Sequence, residues 1–258
     1  MRLVFRFRTI PFVATVLLVA LGIALGNWQM RRAEEKLAVA ARIAERGTAE
    51  PVVLGDAGSA QASERVDSGA VRRPVHPTDI EYRRVRVTGE FVAGWPIFLD
   101  NRPHEGRAGF YLAMPFKIAG LDAHVLVLRG WLPRDPREYT RLPQVATPGG
   151  TVTIEGVATA SAGRVMQLGA PGAPKPGAIV QNLAVDEVAR ASGLRLMPFF
   201  LQQGGPAAPG EGLVRDWPVP SAGVDKHHGY AFQWYALAAM AVLFFVITGF
   251  RSGRKQVG

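Results

Sequence analysis

The feature that most constrains this chain is an apolar segment near its C-terminus. From Tyr230 to Phe250 there are 21 residues without a charged side chain. A helix rises about 1.5 Å per residue, so this segment is long enough to cross a hydrocarbon core of roughly 30 Å. The sequence therefore predicts a transmembrane helix over residues 229–250, followed by a short tail at 251–258.

Two adjacent histidines, His227 and His228, lie immediately before this helix, where a side chain leaves water and enters the headgroup region. Residues three, four and seven positions apart share one face of a helix, so His227 lies on the same face as Tyr230, Ala231 and Trp234. His228 is rotated by about 100° from that face. We call the set of His227, Tyr230, Ala231 and Trp234 the aromatic stripe.

Three interpretations of the aromatic stripe are compatible with the residues alone. The rings and histidines can be an ordinary interfacial belt with polar caps. Alternatively, a neutral imidazole can be an axial ligand of a haem iron, with the aromatic face packed against the flat macrocycle. A hydrated metal or proton-handling pair formed by the two histidines is disfavoured, because neighbouring side chains on a helix point apart.

A second apolar segment lies at the N-terminus. Residues 1–28 place three arginines before an apolar run, which is the pattern of a secretory signal. No convincing small-residue cleavage site follows, so we interpret this segment as an uncleaved transmembrane helix. Gly22 and Gly26 form a smooth strip that favours close packing against another helix. We expect that strip to contact the alanine side of the second span, formed by Ala231, Ala238 and Ala241.

Charge and cysteine content narrow the function classes. The chain carries 30 lysines and arginines against 21 acidic residues, and it has no cysteine. The lack of cysteine excludes disulfides, thiolate metal sites and haem attachment through a cysteine pair. No nucleic-acid-binding motif accompanies the net charge of +9, so we expect a lipid bilayer as the partner and no nucleic acid. The basic tail favours cytoplasmic termini, which predicts a multi-pass protein of the bacterial inner membrane with its main domain in the periplasm.

The residues between the two spans fall into three predicted regions. A juxtamembrane helix covers 29–47, and 48–79 is a linker rich in small and polar residues. In the third region, residues 80–228, the stretch EYRRVRVTGEFV alternates with a period of two. The segments WPIFLDNRP, GFYLAMPFKIAG, AHVLVLRGWLP, TVTIEGVAT and RLMPFFLQQ follow it as further predicted strands, separated by glycine, proline and short polar stretches. That pattern predicts an extracytoplasmic domain of antiparallel strands with barrel-like closure.

The predicted fold class is thus an α+β membrane protein, in which two transmembrane helices flank a β-rich domain with one short helix. We expect the short helix from Leu183 to Ser192, with Asn182 as its N-cap and Gly193 as its stop.

Catalytic motifs are absent from the sequence, which contains no glycine-rich phosphate loop, nucleophile elbow or metal-spaced histidine cluster. We therefore expect a protein that is not an enzyme. A membrane-anchored periplasmic solute-binding or enzyme domain is an alternative, which an apolar pocket inside the barrel would favour.

Several motifs occur in order along the chain. They are Trp28-Gln29-x-x-Arg32-x-x-x-Lys36, Tyr82-Arg83-Arg84-Val85, Thr88-Gly89-Glu90-Phe91, Asn101-Arg102, Gly109-Phe110, Val127-x-Arg129-Gly130-Trp131-x-Pro133 and His227-x-x-Tyr230-Ala231-x-Gln233-Trp234. Together they resemble the Surfeit-locus family of cytochrome c oxidase assembly factors over nearly the whole chain. The arginine-glycine-tryptophan strand end, combined with the opening of the last span, is the most specific part of the resemblance.

The resemblance implies a chaperone of the bacterial haem a type, which binds haem a and aids its delivery to the catalytic subunit of cytochrome c oxidase. Haem a synthase is a further partner to consider. His227 is then the expected iron ligand, with His228 as the alternative, and Tyr230 and Trp234 form a packing wall. A membrane scaffold that binds an oxidase subunit but no cofactor is the alternative function.

Arg129 is a candidate cation for the haem propionates, because arginine suits bidentate contacts with carboxylates. The alternative for Arg129 is a charge at a strand end that pairs with a neighbouring acid.

Overall fold

The structure, a computed structural model, describes residues 5–55, 77–167, 172–218 and 223–254. Most of the predicted linker at 48–79 lies outside the described residues. The chain divides into two compact units. Met1–Arg42 and Pro218–Gly258 form one unit, and Ile43–Trp217 forms the other.

The elements, in chain order, are α1 (Thr9–Thr48), β1 (Val52–Leu54), α2 (Pro77–Ile80), β2 (Arg84–Phe91), β3 (Ile97–Leu99), β4 (Gly109–Ile118), β5 (His124–Pro133), β6 (Val152–Thr159), β7 (Ala178–Val180), α3 (Val185–Ser192), β8 (Leu196–Gln203) and α4 (Val224–Arg254). The predicted fold class is confirmed, since two helices long and apolar enough to cross a membrane flank a barrel-like sheet that carries a short helix.

The two long helices, α1 and α4, contain 40 and 31 residues. The predicted N-terminal span and the predicted juxtamembrane helix are one continuous helix, α1, which ends at Thr48. At about 1.5 Å per residue both helices exceed the length needed to span a hydrocarbon core.

Five strands of the β unit close into a ring. Hydrogen-bonded neighbours follow the order β2, β6, β8, β5 and β4, and β4 pairs back with β2 from Gly89 opposite Ile118 to Phe91 opposite Phe116. The edge of β2 that meets β4 also pairs with β1. Beyond β4, the sheet continues through β3 and β7. Ring closure leaves few unpaired backbone groups at strand edges.

The strand directions differ in part from the antiparallel arrangement expected. Most described pairs are antiparallel, but β1–β2, β3–β7 and β5–β8 are parallel. The chain connects β5 to β8 through β6, β7 and α3, and parallel neighbours require such long connections. The alternation of residues along a strand carries no information on the direction of its partner.

Both faces of the central strands are buried. Val125 and Val127 of β5 belong to one core cluster, whereas Leu126 and Leu128 belong to another. A strand covered on both faces is nearly continuously apolar, as the sequence of β5 is. By contrast, β2 alternates between buried and exposed residues, as predicted.

The ends of α3 are only partly as expected. Its N-cap is Ala184, so the prediction of Asn182 as the cap is wrong. The Asn182 amide instead bonds both backbone groups of Val165, accepting from its N–H at 2.9 Å and donating to its carbonyl at 3.0 Å. At the other end, Gly193 adopts φ 71°, which confirms it as the left-handed stop.

Candidate functional site

Close contact between α1 and α4 depends on glycine. A Cβ added to Gly22 would lie 2.9 Å from the carbonyl oxygen of Trp234 and 3.0 Å from Cβ of Ala238. A Cβ added to Gly26 would overlap the ring of Tyr235. The expected glycine strip is therefore present, and Gly22 contacts Ala238 as predicted. Gly26, however, receives an aromatic ring, because a flat ring fills the space that the missing side chain leaves.

His227 is fixed by a hydrogen bond from its ring to α1. Its Nδ1 lies 2.7 Å from Oε1 of Gln29. An amide oxygen only accepts hydrogen bonds, so Nδ1 carries the proton and donates it. The neutral ring then keeps its lone pair on Nε2, which is the form of imidazole that binds a metal ion.

A second hydrogen bond joins the same two helices nearby. The hydroxyl of Tyr235 donates to Oδ1 of Asn27 at 2.7 Å. Asn27 and Gln29 are two residues apart on α1, and they bond to different residues of α4. Two polar links of this kind fix the rotation of the helices at the level of the histidines.

The aromatic stripe is partly open. Ala231 is buried, His227 and Trp234 are half-buried, and Tyr230 is 51% exposed. His228 is exposed. The structure thus gives the two histidines different surroundings, since the ring of His227 is held against α1.

Arg129 lies in a buried charge cluster of the β unit. Its side chain is 0% exposed, and its Nη2 donates to Oε1 of Glu211 at 2.7 Å. The other oxygen of Glu211 accepts from Nη2 of Arg215 at 2.6 Å. Arg129 also donates to the Ala146 carbonyl and the Thr147 hydroxyl. This geometry supports the second interpretation of Arg129, a strand residue paired with an acid.

The cluster shifts the pKa values of its members. Burial alone would raise the pKa of Glu211, but the Ala208 amide donor and the guanidinium groups of Arg129 and Arg215 lower it below its ordinary value. Burial lowers the pKa of Arg129, while Glu211 counteracts part of that effect. The three charges join β5 to the irregular segment around residues 206–215, so removal of one partner would leave another buried without its counter-charge.

Several motif residues of the β unit surround Trp131. The indole donates to the carbonyl of Arg102 at 2.6 Å. A Cβ added to Gly109 would overlap the indole ring, so only glycine fits there. Gly130 has φ 152° and lies against Leu213 and Val214, so a side chain is disfavoured there too. These residues are therefore explained by packing.

The other described histidines have roles in the β unit. The ring of His104 lies 5.1 Å from that of Trp131, and His124 is 9% exposed at the start of β5. Within the described ranges, no group of three or more histidine and acidic side chains is arranged to hold a metal ion. A single imidazole with a fixed tautomer, as at His227, suits a haem iron, whose other ligands come from the macrocycle.

The donor set at the N-terminal end of α4 fits a haem. With Nδ1 bonded to Gln29, the neutral imidazole of His227 offers Nε2 as its free nitrogen, and aromatic side chains follow three and seven residues later at Tyr230 and Trp234. Gln29, which supplies the proton acceptor, was part of the recognised motif but had no predicted role. The Trp28-Gln29 motif was a signal for it, yet only the structure brings Gln29 and His227 together across 198 residues.

The fold and site together define a class, a barrel-like β domain flanked by two apolar helices that contact each other beside a fixed histidine. The family within this class follows from similarity. A sequence model of the SURF1 family matches residues 16–239. The chain therefore belongs to the SURF1 family.

Individual relatives agree with this assignment. A SURF1-like protein of Rickettsia bellii is 25% identical over 229 residues, which cover 87% of this chain and 85% of that protein. The cytochrome oxidase assembly protein SHY1 of Saccharomyces cerevisiae is 31% identical over 108 residues, 42% of this chain and 24% of the yeast protein. Surfeit locus protein 1 of Rattus norvegicus is 28% identical over 129 residues, 45% of this chain and 37% of the rat protein.

Proposed function

We propose that this chain is an assembly factor for cytochrome c oxidase that holds haem a through His227 and aids its delivery to the catalytic subunit. Membership of the SURF1 family and the name of the yeast relative support the assembly role. The hydrogen bond between Gln29 and His227 carries the haem part of the proposal. In the neutral form of the ring this bond leaves the lone pair on Nε2, as ligation of iron requires.

The chemistry of this role is non-covalent. A bound haem a would supply a Lewis-acidic iron, and His227 would hold it by donating the lone pair of its neutral imidazole. Tyr230 and Trp234 would pack against the macrocycle, and Gln29 holds the imidazole in one tautomer. Because Tyr230 is 51% exposed, the site is open enough for cargo to enter from haem a synthase and leave to the oxidase subunit.

Arg129 is not part of the proposed haem site. Its side chain is 0% exposed and already bonds Glu211. Recruiting it to a propionate would break a buried ion pair, which costs several kcal/mol.

The proposed location is the bacterial inner membrane, with the β unit in the periplasm. An alkaline phosphatase fused after Val145 should then be active, and one fused after Gly258 should be inactive. The opposite pattern would reverse the orientation.

Spectroscopy tests the function. The protein purified in detergent from cells that make haem a should show a Soret band, and the same protein from cells without haem a should lack the haem a spectrum. In cells that lack the gene for this protein, the haem a content per oxidase catalytic subunit should fall. A colourless protein combined with an oxidase assembly defect would favour the scaffold without a cofactor.

A further inference from the structure

An apolar groove lies between α1 and α4. It has a volume of 330 Å³. Leu18, Leu21 and Gly22 of α1 line it together with Trp234, Leu237, Met240, Ala241 and Phe244 of α4. No lining side chain is charged, so the groove suits a hydrocarbon chain and not an ionic ligand. We call it the interhelical groove.

The interhelical groove continues the aromatic stripe. The helical positions His227, Tyr230, Trp234, Leu237, Ala241 and Phe244 are spaced alternately by three and four residues. Residues with that spacing lie on one face of a helix. Trp234 belongs to both features, since it is seven residues after His227 and also lines the groove.

The lengths along α4 match a tailed ligand. His227 precedes Trp234 by about 10 Å of helix rise, a distance that a macrocycle beside the histidine can cover. From Trp234 to Phe244 the groove extends for about 15 Å more. A ligand bound by iron at His227 can therefore place a long apolar substituent in the groove without leaving this face of the helix.

Small residues give the groove its depth. Gly22 allows α1 to approach the backbone of Trp234, and Ala241 leaves space between the larger side chains of Leu237 and Phe244. A larger side chain at position 241 would fill this space directly. The groove is thus a shaped recess, and its shape depends on an alanine that can be changed without touching the histidine.

We propose that the interhelical groove binds the isoprenoid tail of the haem whose iron is bound by His227, and that it selects tailed haems over untailed ones. This inference rests on the proposed function. The tail carries no charge and is too long for the aromatic stripe alone. Hydrocarbon around the helices is as apolar as the groove, so what the tail gains against Leu237, Ala241 and Phe244 is close van der Waals packing, which also fixes the macrocycle at its edge.

Titration with three haems separates the contribution of the tail to affinity from that of the rest of the ligand. Haem o differs from haem b by its isoprenoid tail, and haem a carries the same tail with a formyl group. Purified full-length protein in detergent is titrated with each haem. Haems o and a should both bind about tenfold or more tightly than haem b, because haem b lacks the packing contacts of the tail, and about 1.4 kcal/mol of such contacts corresponds to a tenfold change in affinity.

Two substitutions of alanine by phenylalanine test where the tail binds. Ala241→Phe fills the groove, so it should reduce the affinity for haem o to near that for haem b while leaving haem b binding unchanged. Ala239→Phe is the matched control, since Ala239 is exposed on α4 and does not line the groove. This control should keep the preference for haem o, and retained haem b binding in both variants shows that both are folded.

The outcomes distinguish the inference from the proposed function. If the wild type binds no haem, the proposed function fails. If it binds haems o and b equally, or if Ala241→Phe behaves like Ala239→Phe, haem binding stands and the groove inference is overturned. If the haem affinities are equal and Ala241→Phe displaces bound phospholipid, the groove binds an acyl chain. That result would equally overturn the inference.

Discussion

Gln29 selects which nitrogen of His227 is available to a metal. Its amide oxygen lies 2.7 Å from Nδ1 and accepts the proton of that nitrogen. Partners of this kind orient ligating histidines, and their loss typically weakens metal affinity about 10- to 100-fold. Gln29 is therefore a positioning residue for the proposed haem ligand.

Substitution of Gln29 tests that role. Gln29→Leu removes the acceptor, so haem affinity should fall and the absorption spectrum should shift. Gln29→Glu keeps an acceptor, so its haem affinity and spectrum should stay close to those of the wild type. Asn27→Leu is the comparison, because it removes the second polar link between the helices but leaves the acceptor of the histidine, so it should lower haem affinity less than Gln29→Leu. Equal haem titrations for wild type and Gln29→Leu would contradict the assigned role.

Glu211 is the carboxylate between two buried arginines, and its removal should destabilise the β unit. Glu211→Gln leaves Arg129 buried without a counter-charge, so we expect a loss of about 3–5 kcal/mol in the free energy of unfolding. Glu155→Gln is the control, because that residue pairs with Arg86 at the exposed surface and its loss should cost less than about 1 kcal/mol. Chemical denaturation of the full chain in detergent measures both.

The pH dependence of stability follows from the same residue. The pKa of Glu211 is lowered from 4.5 in the folded state. A carboxylate with a lowered pKa stabilises the fold above its unfolded value, and that stabilisation disappears as the pH falls through the folded value. The wild type should therefore lose stability below pH 4.5 more steeply than Glu211→Gln. Parallel curves for the two proteins would exclude this contribution.

Residue types and spacing identified His227, Tyr230 and Trp234 as a stripe, because helical periodicity is local. They did not reveal that Arg129 bonds Glu211, since those residues are 82 positions apart and meet only after the sheet forms. The role of Gln29 was hidden for the same reason. The sequence therefore predicted the ligand candidate but not the groups that hold it.

At the level of elements, α1 and α4 pack most closely at Gly22 and Gly26, where α1 has no side chain. Gly26→Ala should displace the Tyr235 ring, and Gly22→Ala should push against the carbonyl of Trp234, so contact between the helices should weaken in both variants. Gly47→Ala is the matched control on the same helix, because the added Cβ would meet no described atom within 4 Å outside its neighbours and the local helix backbone.

Cross-linking measures this packing directly. The chain has no cysteine of its own. A pair of cysteines that replaces Leu21 and Leu237, which both line the interhelical groove, therefore reports only on these two helices. The yield should fall for the two glycine variants and stay constant for Gly47→Ala. An undiminished yield with Gly26→Ala would show that the helices do not depend on this contact.

Alternation predicted β2, and short apolar segments bounded by turn residues predicted the other long strands. β4, β5, β6 and β8 lie within the predicted segments, and Gly193 ends α3 as expected. The parallel partners were missed, because pairing between distant strands leaves no local pattern. Asn182 was misjudged as a cap because its side chain meets Val165, a contact set by tertiary structure.

For the molecule as a whole, two apolar helices and a barrel-like β unit were predictable from segment length and periodicity. The family could also be recognised, because its motifs are spread along nearly the whole chain. The arrangement of α1 and α4 that creates a fixed imidazole and an apolar groove on one helix face required the structure. That combination underlies the proposal that this SURF1 family member handles haem a.

Haem content per polypeptide is the measurement that tests this proposal most directly. Wild type, His227→Ala, His228→Ala, Trp234→Ala and the variant lacking both histidines are purified from cells that make haem a. We expect His227→Ala to lose the haem or shift its spectrum strongly, His228→Ala to retain most of it, and Trp234→Ala to retain ligation with weaker binding. Equal haem loading of the wild type and the variant without either histidine would contradict the account.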